Sequence, residues 1–164
     1  EMCIRDRSWT SGSHTFATST YTPFFPTYDI SRLSGSTYTN QIYGSNNNFS
    51  SRIVNSRGNP AIGYTYCNFG AVSRYNCFTQ THSTQSHCGI AGCTVNLALS
   101  STPGSEGLPG DSGGPIGRTS GSAYAKARGM VVAQTGPFYG GWYNFYYHIR
   151  SDIETFLGVT IATS

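Results

Sequence analysis

The chain has 164 residues, and only 10% of them are charged, with a formal net charge of +3. That is enough chain for one domain with a real core. An aromatic content of 14% with so small a net charge excludes a disordered chain. No Lys/Arg cluster is interleaved with aromatics in the sequence, so nucleic acid is not an expected partner. No apolar run approaches the ~18 residues of a membrane span, so no membrane is expected either.

The first seven residues differ in character from the rest of the chain. Glu1, Arg5, Asp6 and Arg7 crowd charge into a sequence that is otherwise poor in it. Met2-Cys3-Ile4-Arg5-Asp6-Arg7 also reads like the translated remnant of a sequencing-library adapter. Residues 1–7 are therefore expected to be non-native and to stand outside the fold.

From Trp9 to Tyr43 short strands alternate with Gly/Ser/Pro turns. Ser13–Ser19 and Tyr28–Leu33 read as two of these strands. Gly58–Tyr66, apolar and aromatic after an Asn/Arg/Gly turn, reads as another. Phe78–His87 is rich in Ser, Thr and Gln and reads as an inserted loop with solvated His82 and His87. Gly89–Leu99 returns to strand style. Gly129–Gln134 reads as a buried strand, and Tyr143–Ile149 as an aromatic strand with a partly exposed His148. One stretch reads as helix. Ser151 offers a cap, Asp152 and Glu154 fill the first turn, and Gly158 closes it. Many short strands and one terminal helical turn predict an all-β barrel or sandwich.

Of the five cysteines, Cys3 lies in the aberrant start. The simplest pairing of the rest is Cys67–Cys77 and Cys88–Cys93, one of three possible pairings. Zinc is the competing reading, since His82 and His87 stand near Cys88. The spacings C-x9-C and H-x4-H-C-x4-C fit no common zinc pattern. No metal and no cofactor are expected.

The chemistry is concentrated in Gly110-Asp111-Ser112-Gly113-Gly114-Pro115. A serine nucleophile must project into a cleft while backbone N–H groups point at the developing oxyanion. Gly110 lets its own N–H and that of Ser112 face one spot. Gly113 and Gly114 remove side chains that would block substrate, and Pro115 fixes the exit into the next strand.

This run resembles the nucleophile motif of chymotrypsin-like serine peptidases at all six positions. The resemblance implies a chain order of His, Asp, Ser. Tyr28-Asp29-Ile30-Ser31-Arg32-Leu33 resembles the strand that carries the catalytic Asp, and Ser34-Gly35-Ser36 is similar to the bacterial, streptogrisin-like branch. Tyr66-Cys67-Asn68-Phe69-Gly70, running to Cys77, resembles that branch's disulfide-closed hairpin. Tyr147-His148-Ile149-Arg150 and residues 153–159 resemble the last strand and closing helix. Ala133-Gln134-Thr135-Gly136 stands where the substrate-binding strand of the family lies.

The resemblance thus implies an all-β chymotrypsin-like double β-barrel with a short C-terminal helix. Residues 8–48 would be the remnant of an incomplete first barrel, and residues 49–164 the second barrel and helix. It implies a secreted, monomeric serine endopeptidase acting on protein or peptide substrates. Ser112 would be the nucleophile, Asp29 its triad partner, and Gly110 and Ser112 the oxyanion hole. The family's Thr-Ala-x-His-Cys segment is missing. His14 alone precedes Asp29 among His14, His82, His87 and His148, and its Gly-Ser-His-Thr-Phe context does not match. The expectation is a fragment that lacks its general base. The alternative is a non-catalytic homologue acting as a secreted binding or adhesion module.

Overall fold

The computed structural model describes residues 8–11, 14–21, 27, 32–34, 39–43, 51–70, 72–73, 75–90, 92–103, 111–121, 123–138 and 141–163. Strands β1 (Ser8–Ser11), β2 (His14–Tyr21) and β3 (Arg32–Ser34) form a three-stranded antiparallel sheet. All later strands belong to a second sheet. They are β4 (Gln41–Tyr43), β5 (Ser51–Arg57), β6 (Thr65–Phe69), β7 (Tyr75–Gly89), β8 (Gly92–Pro103), β9 (Pro115–Ser120), β10 (Tyr124–Phe138) and β11 (Trp142–Ile149). One helix, α1 (Arg150–Leu157), comes last.

The second sheet runs β11-β8-β7-β6-β9-β10-β5-β4, and β11 also pairs with β10. That extra pairing closes β6 to β11 into a six-stranded barrel. Every barrel strand supplies the core. Tyr66, Phe78, Ala98, Ile116, Val131 and the pair Phe145 and Tyr147 come from β6 to β11 in turn. Phe78 and Phe145 stack with ring centroids 4.6 Å apart. Burying each such ring contributes roughly 2–3 kcal/mol.

The Tyr147 hydroxyl cannot be buried unpaired. It lies 3.0 Å from Ser100 Oγ and donates to Gln80 Oε1 at 3.1 Å, and all three residues are buried. Outside the barrel, Cys67, Phe69 and Ala125 pack with Ile42, Tyr75 and Cys77. The disulfides Cys67–Cys77 and Cys88–Cys93 each join directly opposed residues of a hairpin. The four thiols are thus taken up by disulfides rather than by a metal.

Several sequence expectations shift. Gly58–Tyr64 is not strand. Pro60 breaks it, and Gly63 turns the backbone at φ +84°. The strand lies upstream in β5, which includes the Asn/Arg stretch expected to be a turn. Phe78–His87 is no insertion loop either. It belongs to β7, whose long pairing with β8 forms an arm ending in the Cys88–Cys93 disulfide. Ser151 does not cap α1. The N-cap is Ile149, and the Ser151 N–H donates instead to Asn59 Oδ1 at 3.0 Å. Gly158 does close the helix, with a left-handed φ of 60°.

Candidate active site

The run 111–114 is the turn that feeds β9. The Gly114 N–H donates to the Asp111 carbonyl at 2.9 Å. Gly113 has a φ of +84°, and Ser112 is not among the positive-φ residues. That is the sign pattern of a type II turn, which needs glycine at its third position. The turn is tied to β10 by two further bonds, Gly113 N–H to Val131 O and Val131 N–H to Gly114 O, both 2.9 Å. Ser112 is exposed, and its hydroxyl donates to Val132 O at 3.3 Å. The motif therefore presents its hydroxyl to solvent on a backbone fixed to the barrel.

Below the turn, Asp111 is buried. Its Oδ1 accepts from the N–H groups of Val72 at 2.9 Å and Ser73 at 3.0 Å. These bonds join the turn to the loop after β6. Two glycines make the approach possible. A Cβ on Gly70 would stand 2.2 Å from Asp111 Oδ1, and one on Gly114 would stand 2.8 Å from both Asn68 Oδ1 and Asp111 O. Asn68 is fully buried between them. Sequence reading singled out neither Asn68 nor Gly70 as part of this site. Their only signal was a place in the block that resembles the disulfide hairpin.

Beyond Met130, β10 leaves β9 and pairs with β11 alone, at Ala133–Tyr146, Gln134–Phe145 and Thr135–Asn144. Its other edge has no strand partner among the described residues. Ala133, Gln134 and Thr135 are half-buried along this stretch. Gly136, exposed at φ +133°, precedes a cis bond to Pro137. The four residues expected to bind substrate thus come directly after Val132, which accepts the Ser112 hydroxyl.

The histidines lie on β2, β7 and β11. His82 and His87 ride the β7–β8 arm, where the His87 ring lies 4.9 Å from that of Tyr146. His14 is on β2. His148 was expected to be partly exposed, but it is fully buried. Phe145 and Tyr147 point into the barrel, so strand alternation turns His148 to the outer face, where it is nevertheless covered. Desolvation lowers its pKa to about 4, so it is neutral at physiological pH. Asp29 and Gly110 lie outside the described residues. Among the described residues no group of three or more His, Cys, Asp or Glu side chains could hold a metal ion.

No protein-family model matches the sequence, and no curated protein matches it. Solved structures do. Thermobifida fusca protease A is 22% identical with a TM-score of 0.75, over 93% of this chain and 77% of that one. A glutamic-acid-specific serine protease that uses a histidine triad in substrate binding is 21% identical with a TM-score of 0.76, over 96% and 80%. Cellulomonas bogoriensis chymotrypsin is 19% identical with a TM-score of 0.75, over 93% and 78%. The chain has the chymotrypsin-like all-β fold of these serine proteases, with one short C-terminal helix.

Proposed function

We propose that the chemistry built into this chain is that of a secreted serine endopeptidase, and that the chain lacks the general base. The observation that carries the reading is the exposed Ser112 hydroxyl on a turn locked to β10 and underpinned by buried Asp111. Ser112 would attack a peptide carbonyl. The N–H groups of Gly110 and Ser112 would hold the oxyanion, and an extended peptide would lie along Ala133 to Gly136 as an added strand. Asp29 would orient the imidazole and stabilise its charged form. The partner is a protein or peptide substrate, and no cofactor takes part. The disulfides suit an oxidising, extracellular setting.

The placement of the histidines favours the second half of the proposal. His148 is buried and holds its neutral form, and His82 and His87 sit on the arm. Neither these three nor His14, in its Gly-Ser-His-Thr-Phe context, matches the family's base segment. The same observation favours the competing reading, a non-catalytic binding module that keeps the turn without using it.

Free imidazole separates the two readings, because it can supply the missing base from solution. The purified chain alone is expected to hydrolyse an activated peptide ester far more slowly than a protease with a complete triad, since loss of a triad member removes most of the rate. In imidazole buffer the rate of the wild-type chain is expected to exceed that of Ser112→Ala about tenfold. Equal rates for the two chains would overturn the nucleophile. A protease-like rate without imidazole would overturn the missing base.

A further inference from the structure

A second charged feature lies along the barrel wall from Ser112. β9 runs from Pro115, beside the turn, to Arg118 and beyond, and β10 returns from Lys126 past Arg128 to Val132. Arg118 is therefore three residues, about 10 Å of strand, beyond Pro115. Lys126 is the direct register partner of Arg118, so two like charges share one face of the ladder. Such a pair costs stability rather than adding it. Arg128 sits at a register irregularity, with its guanidinium packed over Gly58, whose Cβ would meet Nη1 at 2.6 Å. Its described hydrogen bond is a 3.3 Å contact to the carbonyl of Ala127. Arg118 and Arg150 both stand near enough to repel its charge.

Among the described residues, compensation for these charges is scarce. Glu154 pairs with Arg57 and Arg150. Asp152 accepts from Ser151. Among the described residues neither acid, nor any other, pairs with Arg118, Lys126 or Arg128. Apolar surface lies alongside. The Arg118 guanidinium sits 5.4 Å over the ring of Tyr64, and Tyr64 and Ile62 are more than half exposed, at 51% and 56%. Among the described residues, this strand pair sets cations opposite each other with no paired acid, beside exposed aromatic and aliphatic side chains, a combination that suits an acidic, apolar partner.

We propose that Arg118, Lys126 and Arg128, flanked by Tyr64 and Ile62, form a docking surface for an acidic, partly apolar segment of a protein partner. Carboxylates of the partner supply the counter-charge that no described residue supplies, and its apolar side chains cover Tyr64 and Ile62. Arginine forks suit carboxylates geometrically. The adjoining apolar pair favours a polypeptide over a bare polyanion. The surface does not depend on Ser112 chemistry, so it stands or falls separately from the proposed peptidase.

The test is equilibrium binding of a fluorescent peptide of alternating Glu and Leu to the full chain, measured by anisotropy. Binding is expected to weaken at least about tenfold in R118Q/K126Q/R128Q, and similarly between ~0.05 and ~0.3 M salt. Single R128Q is expected to lose part of it, whereas R32Q, on β3 of the other sheet, loses none. Tyr64→Ser is expected to weaken the Glu–Leu peptide but not oligoglutamate. Circular dichroism and urea midpoints establish that each variant is folded, and single R118Q, at an exposed site, substitutes if the triple variant is not. Three results overturn the proposal. They are binding that R128Q and R118Q leave unchanged, tighter binding of heparin or single-stranded DNA than of the peptide, and displacement of the peptide by millimolar inorganic phosphate alone.

Discussion

The Ser112 turn and the outer half of the β7–β8 arm are both exposed, but they are held in different ways. The turn is four residues long and has almost no freedom. It is closed on itself, bonded twice to β10, and seated over an Asp whose carboxylate ties down a third loop. The arm is far longer, yet between Thr81 and Thr84 it buries nothing, and its ladder slips three times between Gln80 and His87. It ends on Ile90, which is 97% exposed. Exposure therefore says little about rigidity. What counts is how many buried groups depend on the local backbone, and the turn has several where the outer arm has few.

The sharpest way to break this contrast is to cut one support from each region. Asp111→Ala leaves the N–H groups of Val72 and Ser73 without their acceptor and opens a void beneath the turn. We expect it to cost about 3 kcal/mol or more, because each lost bond had a charged partner. Ser83→Ala, at an exposed position on the arm, is expected to cost under about 0.5 kcal/mol. Urea denaturation with an unchanged slope measures both. Comparable losses would show that the turn is no better held than the arm.

A somewhat smaller effect separates the barrel from the arm by pH. His148 is buried with a folded pKa of about 4, below its ordinary value of 6.5, because burial penalises the charged imidazolium. The unfolded chain therefore takes up this proton first on acidification. The stability tied to neutral His148 is complete above pH ~6.5 and is lost as pH falls through about 4. The full difference amounts to about 3 kcal/mol. His148→Leu cannot charge, so its stability should fall less than that of the wild-type chain across that window. Identical pH profiles for the two chains would mean that burial of His148 carries no such linkage.

These contrasts also explain what the sequence could and could not reveal. The turn is legible because its constraints are local. A positive φ, a close backbone approach and a fixed exit each demand a particular residue within six positions, and those demands are written as Gly113, Gly114 and Pro115. The buried strand in β10 and the aromatic β11 are legible because burial demands apolar side chains. The arm is not legible, because a run such as Thr81-His82-Ser83-Thr84 pairs as readily as it loops when neither face is buried, and only the distant β8 decides it. His148 deceives for a related reason. Alternation correctly turns it off the barrel interior, but no local pattern says that another part of the molecule covers that outer face. Asn68 and Gly70 are missed because their neighbours, Asp111 and Gly114, lie some forty residues away in the chain.

The smallest expected difference is between the two disulfides. Cys67–Cys77 closes a ten-residue separation next to a buried cluster, and Cys88–Cys93 closes a five-residue separation at the arm's tip. Chain entropy alone would assign about 3 kcal/mol to the first and about 2 kcal/mol to the second. That near-equality assumes that both are lost in the same global unfolding. The barrel disulfide meets the assumption, since β6 and β7 cannot separate without exposing Tyr66 and Phe78. The arm's tip is expected not to meet it, because the described residues among 86–93 are half-buried or exposed. C67S/C77S should therefore lower global stability by about 3 kcal/mol, whereas C88S/C93S should lower it by less than about 1 kcal/mol. The second loss should appear instead as faster amide exchange confined to residues 86–93. If C88S/C93S lowered the urea midpoint as far as C67S/C77S, the arm would be part of the same cooperative unit as the barrel. The contrast between a seated turn and an independent arm would then fail.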